Sequence, residues 1–102
     1  MVKHIILWKL KDEYSGEKKA EVIAGIKSNL EALAGVVPGL VSIKVNCDNV
    51  LASSNADLML DSTLESAEAL QVYAGHPAHV AAANTFVRPF TEVRLCLDYE
   101  EK

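Results

Sequence analysis

The sequence predicts an α+β sandwich of element order β-α-β-β-α-β, and three observations carry that prediction. Four stretches alternate apolar and polar residues with a period of two, as strands with one buried face do. An apolar stripe at three- and four-residue steps marks a long helix after the first of them, and a shorter helical pattern precedes the last. The three prolines, Pro38, Pro77 and Pro89, fall at joints between these stretches. This order is that of the ferredoxin-like, or split βαβ, fold. Right-handed crossovers then give a four-stranded antiparallel sheet in spatial order 4-1-3-2, with the helices on one face.

Residues 2–10 form the first strand: Val2, His4, Ile6, Trp8 and Leu10 share one face, and Lys3, Ile5, Leu7 and Lys9 the other. Apolar residues on both faces place it centrally. Lys11 to Gly16 is a polar turn in which Ser15 is positioned as a helix N-cap, with Glu17 in the favourable first turn. Val22, Ile23, Ile26, Leu30, Leu33 and Val37 then line one helical face, and the helix ends near Gly35 before Pro38-Gly39. Leu40 to Cys47 alternates again, with Val41, Ile43, Val45 and Cys47 inward. After a polar loop, Ala56 to Thr63 forms the third strand, with Ala56, Leu58 and Leu60 on one face. Ser62-Thr63-Leu64-Glu65 has capping-box spacing and opens a helix running to about Gly75. His76-Pro77 breaks it, and Pro77 suits the first position of a short helix carrying Val80, Ala83, Phe86 and Val87. Thr91 to Tyr99 is the last strand, with Val93, Leu95, Leu97 and Tyr99 opposite Glu92, Arg94, Cys96 and Asp98.

With 102 residues the chain is expected to form a single domain, residues 2–99. Area scaling buries about 65% of such a chain's surface, enough for one core without staples. Its 50% hydrophobic and 24% charged residues describe a globule and exclude disorder. A formal charge of -4 speaks against nucleic acid, which needs clustered Lys and Arg. No apolar run reaches the roughly 18–20 residues of a membrane span, and Met1-Val2-Lys3-His4 lacks signal-peptide features. No membrane partner and a cytoplasmic location are expected. Cys47 and Cys96 are too few for a disulfide framework and read as small buried hydrophobes on opposite edge strands.

Helices are expected over Ile6, Trp8, Leu58, Leu60, Leu95 and Leu97. The uncovered face then carries Ile5, Leu7, Met59 and Cys96, ringed by Lys3, Lys9, Asp57, Asp61, Arg94 and Asp98. An apolar centre with a rim of both charge signs suits a two-fold copy, so a homodimer packed sheet against sheet is expected.

Chemistry-bearing residues concentrate in Tyr73-Ala74-Gly75-His76-Pro77-Ala78-His79. His4 falls on the helix-covered face, so Tyr73, His4 and one of His76 or His79 can meet between sheet and helices. Imidazole is the natural general base near neutrality, and a phenol can donate to a developing enolate oxygen. His79 lies in the first turn of its helix, whose positive end is expected to keep it neutral. Each has a structural reading as well: His76 as a cap, His4 as a hydrogen-bonded core residue, Tyr73 as packing. No metal site is expected, because the proline break spoils a shared His76–His79 face and no Cys, Asp or Glu nearby completes a set.

Val2-Lys3-His4-Ile5-Ile6, Tyr73-x-x-His76-Pro77-x-His79-Val80 and the closing Leu97-Asp98-Tyr99 resemble the stress-responsive A/B barrel (Dabb) family, over about residues 2 to 99. The resemblance implies a ferredoxin-like protomer and a dimeric α+β barrel. Some plant members of the family are stress-induced proteins without assigned chemistry; others are polyketide cyclases that make olivetolic acid by an aldol condensation. The catalytic tyrosine and histidine of that type match Tyr73 and His79, and its first-strand histidine matches His4. The resemblance thus implies His79 as base, Tyr73 on the carbonyl oxygen, and no cofactor. Trp8, Phe86 and His76 are the expected further pocket residues, with Trp8 and Phe86 able to close the cavity. Two readings follow: a dimeric stress-associated protein that binds a small molecule, or a cofactor-free cyclase, isomerase or lyase. A cofactor-independent oxygenase of similar dimeric-barrel type is a third.

Overall fold

The computed structural model describes residues 1–102. Its elements are β1 (Val2–Leu10), α1 (Gly16–Glu31), β2 (Leu40–Asn46), β3 (Leu58–Leu64), α2 (Ala67–Gly75), α3 (Pro77–Ala82), a π-helical turn (Ala83–Val87) and β4 (Thr91–Glu100). The strands form one antiparallel sheet in the order β2-β3-β1-β4, the ferredoxin-like arrangement the sequence predicts. No helix is long and apolar enough to cross a membrane.

The core forms where α1 lies over the sheet. Val22, Ile26 and Leu30 of α1 pack with Val45 of β2, Leu58, Leu60 and Leu64 of β3, and Ile6 and Trp8 of β1. Ser15 stands in extended conformation before α1, although its hydroxyl makes no capping bond. Lys27 ties the helix to the edge of the sheet: its ammonium donates to the Val45 carbonyl at 2.9 Å. Beside it, the Glu31 carboxylate accepts from the Val45 amide at 2.9 Å. Gly39 permits the close approach at the start of β2. Its φ of +82° is a left-handed value, and a Cβ there would stand 2.7 Å from that of Ala69.

Four sequence expectations are corrected. Ser62 is not a helix cap, because β3 continues to Leu64 and carries it into the interior. Its hydroxyl donates to the His4 carbonyl at 2.8 Å, and Ser66 caps α2 by accepting from the Ala69 amide at 3.1 Å. Val41 faces solvent rather than the core, since a register shift between Leu40 and Ser42 lets it bulge out. Asp57 leaves the expected charged rim of the open face, pairing with Lys19 of α1 at 3.0 Å and accepting from the Leu10 amide.

The largest correction is the phase of β4. Asp98 stands opposite His4, Cys96 opposite Ile6, and Arg94 opposite Trp8. Directly opposed residues share a face, so Arg94, Cys96 and Asp98 turn to the helical side while Val93, Leu95, Leu97 and Tyr99 join Ile5, Leu7 and Met59 on the open side. Leu95 and Leu97 are accordingly 62% and 63% exposed. Alternation says which residues travel together and leaves undecided which set faces inward; a strand that no helix covers can turn its apolar set outward.

Candidate functional site

Three local devices build the site. α2 ends at Gly75, and His76 is held extended by the proline that follows it. The His76 Nδ1 accepts from the Ala78 amide at 3.1 Å, capping α3, so this ring is spent on structure. Pro77 then starts α3 and swings His79 back over Tyr73. The two rings lie 4.4 Å apart, centre to centre. On the other side, the His4 ring of β1 meets Tyr73 edge-on at 5.8 Å. Thus Tyr73 stands between the two imidazoles, and the sequence-predicted trio comes together.

Tyr73 is only 1% exposed, and its hydroxyl has no hydrogen-bond partner. Burial pushes its pKa up to about 12, with the Arg94 charge acting the other way. At neutral pH it is therefore a proton donor. The His79 Nδ1 lies 3.1 Å from the Ala74 carbonyl. A carbonyl only accepts, so Nδ1 carries the ring proton and Nε2 keeps its lone pair. Burial holds the His79 pKa below its ordinary value; the Ala74 bond opposes this, and the His4, Arg88 and Arg94 charges reinforce it. The expected neutrality thus comes first from burial rather than from a helix end.

These groups border a cavity of about 60 Å³ walled by Ile6, Trp8, Tyr73, His79, Arg88 and Arg94. At roughly 10–15 Å³ per water it holds a few waters or a ligand of a few heavy atoms, well under the roughly 300 Å³ of larger ligand pockets. Trp8 stands in its wall. Phe86 does not wall it: its ring lies against α1, with Cδ1 3.7 Å from where a Gly25 Cβ would lie. His76 is likewise absent from the cavity, being committed to its cap.

Behind His4, the Nδ1 donates to the Asp98 carboxylate, and Cys96 adjoins both. Arg88, Arg94, Cys96 and Asp98 are site neighbours that sequence reasoning missed. Alternation already grouped the last three on one face, but only the β1–β4 register places that face beside His4. A thiol and a carboxylate thus lie beside the imidazole of His4, away from the His76–His79 pair weighed for metal in the sequence.

The model of the Stress responsive A/B Barrel Domain (Dabb) matches residues 2–101. Stress-response A/B barrel domain-containing protein HS1 of Arabidopsis thaliana is 32% identical over 99 residues, spanning 97% of this chain and 88% of its own. Olivetolic acid cyclase of Cannabis sativa is 30% identical over 100 residues, spanning 96% and 94%. Among solved structures, a dimeric ferredoxin-like protein of unknown function from Bacteroides fragilis superposes with a TM-score of 0.90 at 34% identity, covering 98% of this chain and 95% of that one.

Proposed function

The chain belongs to the stress-responsive A/B barrel family, and from that premise we propose that it is a homodimeric, cofactor-free acid–base catalyst acting on a small carbonyl compound. The observation that carries this reading is the Tyr73 hydroxyl, buried without a partner beside a neutral His79 at a cavity. A buried donor left unpaired costs about 1–3 kcal/mol, which an accepting ligand oxygen recovers. In the proposed step His79 Nε2 takes a proton from the carbon next to a carbonyl. The electron pair moves onto the carbonyl oxygen, and the Tyr73 O–H donates to the enolate so formed. His4, fixed by Asp98, holds the far side of the Tyr73 ring. Two guanidiniums, Arg88 and Arg94, border the same cavity, and neither is in an ion pair. They favour a substrate bearing a carboxylate, such as a short oxo acid.

The open face is the proposed dimer surface. Leu7, Val93, Leu95, Leu97 and Tyr99 are exposed there, flanked by the Lys3–Asp61 and Lys9–Glu92 pairs. Solved relatives described as dimeric support the assembly.

A second reading, binding without turnover, draws on the small cavity volume. The two separate in deuterium oxide, where proton NMR follows loss of the methyl signal of pyruvate as a probe. The catalytic reading expects exchange above the buffer rate and a fall of about 100-fold or more in His79→Ala, the usual worth of a positioned base. Wild-type exchange at the buffer rate, or an unchanged rate in folded His79→Ala, overturns it and leaves binding alone.

A further inference from the structure

The register that turns the polar residues of β4 to the helical side gathers three unlike donors around one point. Cys96 Sγ lies 3.8 Å from His4 Nδ1 and 3.5 Å from Asp98 Oδ1, and His4 Nδ1 also contacts that carboxylate oxygen. All three donor atoms lie within 4.8 Å of one another. We propose that His4, Cys96 and Asp98 form a binding site for a divalent first-row transition ion, zinc in the first instance, held through Nδ1, Sγ and Oδ1.

Spacing supports the assignment. Tetrahedral zinc, with bonds of about 2.3 Å to sulfur and about 2.0–2.1 Å to nitrogen and oxygen, sets its donors about 3.6 Å (S to N) and about 3.5 Å (S to O) apart. The two observed sulfur separations already stand within a few tenths of an ångström of these. Only His4 and Asp98 must part, to about 3.3 Å, as the ion replaces the proton between them. The donor set points the same way: imidazole and thiolate with one carboxylate suit zinc or cobalt, whereas magnesium and calcium take oxygen.

A competing use of the same three residues is a nucleophilic relay, which places thiol and acid on different ring nitrogens. Here both converge on Nδ1, which is the arrangement of a chelate. The frame is firm on one side and open on the other. His4 is buried and its backbone is pinned by Ser62, while Cys96 and Asp98 are exposed and give the ion a way in. Three protein donors leave a fourth position for water. On binding, the Cys96 thiol releases its proton to solvent, and the ion displaces the proton that His4 Nδ1 donates to Asp98.

The test uses the full chain, reduced and stripped with chelator, titrated with cobalt(II) alone and followed by absorbance, with zinc competition to give affinity. The proposal expects one ion per chain with a thiolate-to-cobalt charge-transfer band. Cys96→Ser should abolish the band, and Asp98→Asn should weaken zinc by more than the roughly 10–100-fold that outer partners cost. Both positions are exposed, so both variants should fold, checked by circular dichroism. Cys47→Ser should change neither readout. Absence of the band in wild type, its survival in Cys96→Ser, or its loss in Cys47→Ser overturns the proposal. None of these readouts depends on His79 or on turnover, so failure here leaves the acid–base reading standing.

Discussion

The two edge strands of the sheet are treated in opposite ways. β2 lies under α1: Val45 is fully buried, and Lys27 and Glu31 clamp its backbone from the helix. β4 pairs with β1 along its whole length and has little else against it, so nearly every residue on both its faces is exposed. An edge strand with an apolar outer face is an invitation to pairing that soluble proteins normally suppress. Here the apolar set lies on the open side proposed above as the dimer surface, and the polar set faces His4, Trp8 and the cavity. One edge therefore holds the fold together while the other is available for assembly and chemistry.

The sharpest way to break this comparison is to shorten a side chain on each side. Leu30→Ala, under the helix that covers β2, should destabilise by about 2–5 kcal/mol in denaturant unfolding, because Leu30 is fully packed in the core. Leu97→Ala should fall within about 0.5 kcal/mol when unfolding is measured on the monomer. Equal effects would show that β4 is as embedded as β2. Next in size is assembly: Leu95→Asp with Leu97→Asp should convert the proposed dimer to monomer in sedimentation while leaving circular dichroism intact, since a second copy would bury unpaired carboxylates. A dimer that survives both would move the interface elsewhere.

The smallest effect expected is at the β2 clamp and depends on pH. Burial pushes the Glu31 pKa up, but Lys27 and the Val45 amide prevail and hold it below the ordinary carboxylate value. A depressed carboxylate adds stability above its unfolded pKa and loses it as pH falls through the folded one. Glu31→Gln should therefore lower stability at pH 7, by about 1 kcal/mol or less because solvent screens this part-exposed pair, and the gap to wild type should narrow as pH falls below 4.5. A gap that persists in acid would mean packing, not charge, carries the clamp.

This contrast also explains what was legible in the sequence. β1, α1 and the His76-Pro77 break were readable because each carries its own signal: two apolar faces, an apolar helical stripe, a proline. The trio of His4, Tyr73 and His79 followed from them, because strand phase and helix break fix where those rings go. β4 carries a clear alternation, yet burial of the apolar set was the wrong inference for a strand without a helical cover. That single inversion hid Arg94, Cys96 and Asp98 from the site. Ser62 was misread for a similar reason: Ser-x-x-Glu spacing is local, whereas the pairing that extends β3 to Leu64 is not. Phe86 was lost because it lies within a π-helical turn, whose wider repeat breaks the helical spacing that grouped it with Ala83.

The pH dependence of pyruvate deuterium exchange bears most directly on the catalytic centre, a neutral His79 beside a protonated Tyr73. Burial lowers the His79 pKa from 6.5 and raises that of Tyr73 to about 12. The wild-type rate above buffer should fall only on the acid side, with a midpoint below pH 6.5, and stay level from pH 7 to about pH 10. A midpoint above 6.5, or an alkaline fall between pH 8 and 10, would contradict the assignment of base and donor.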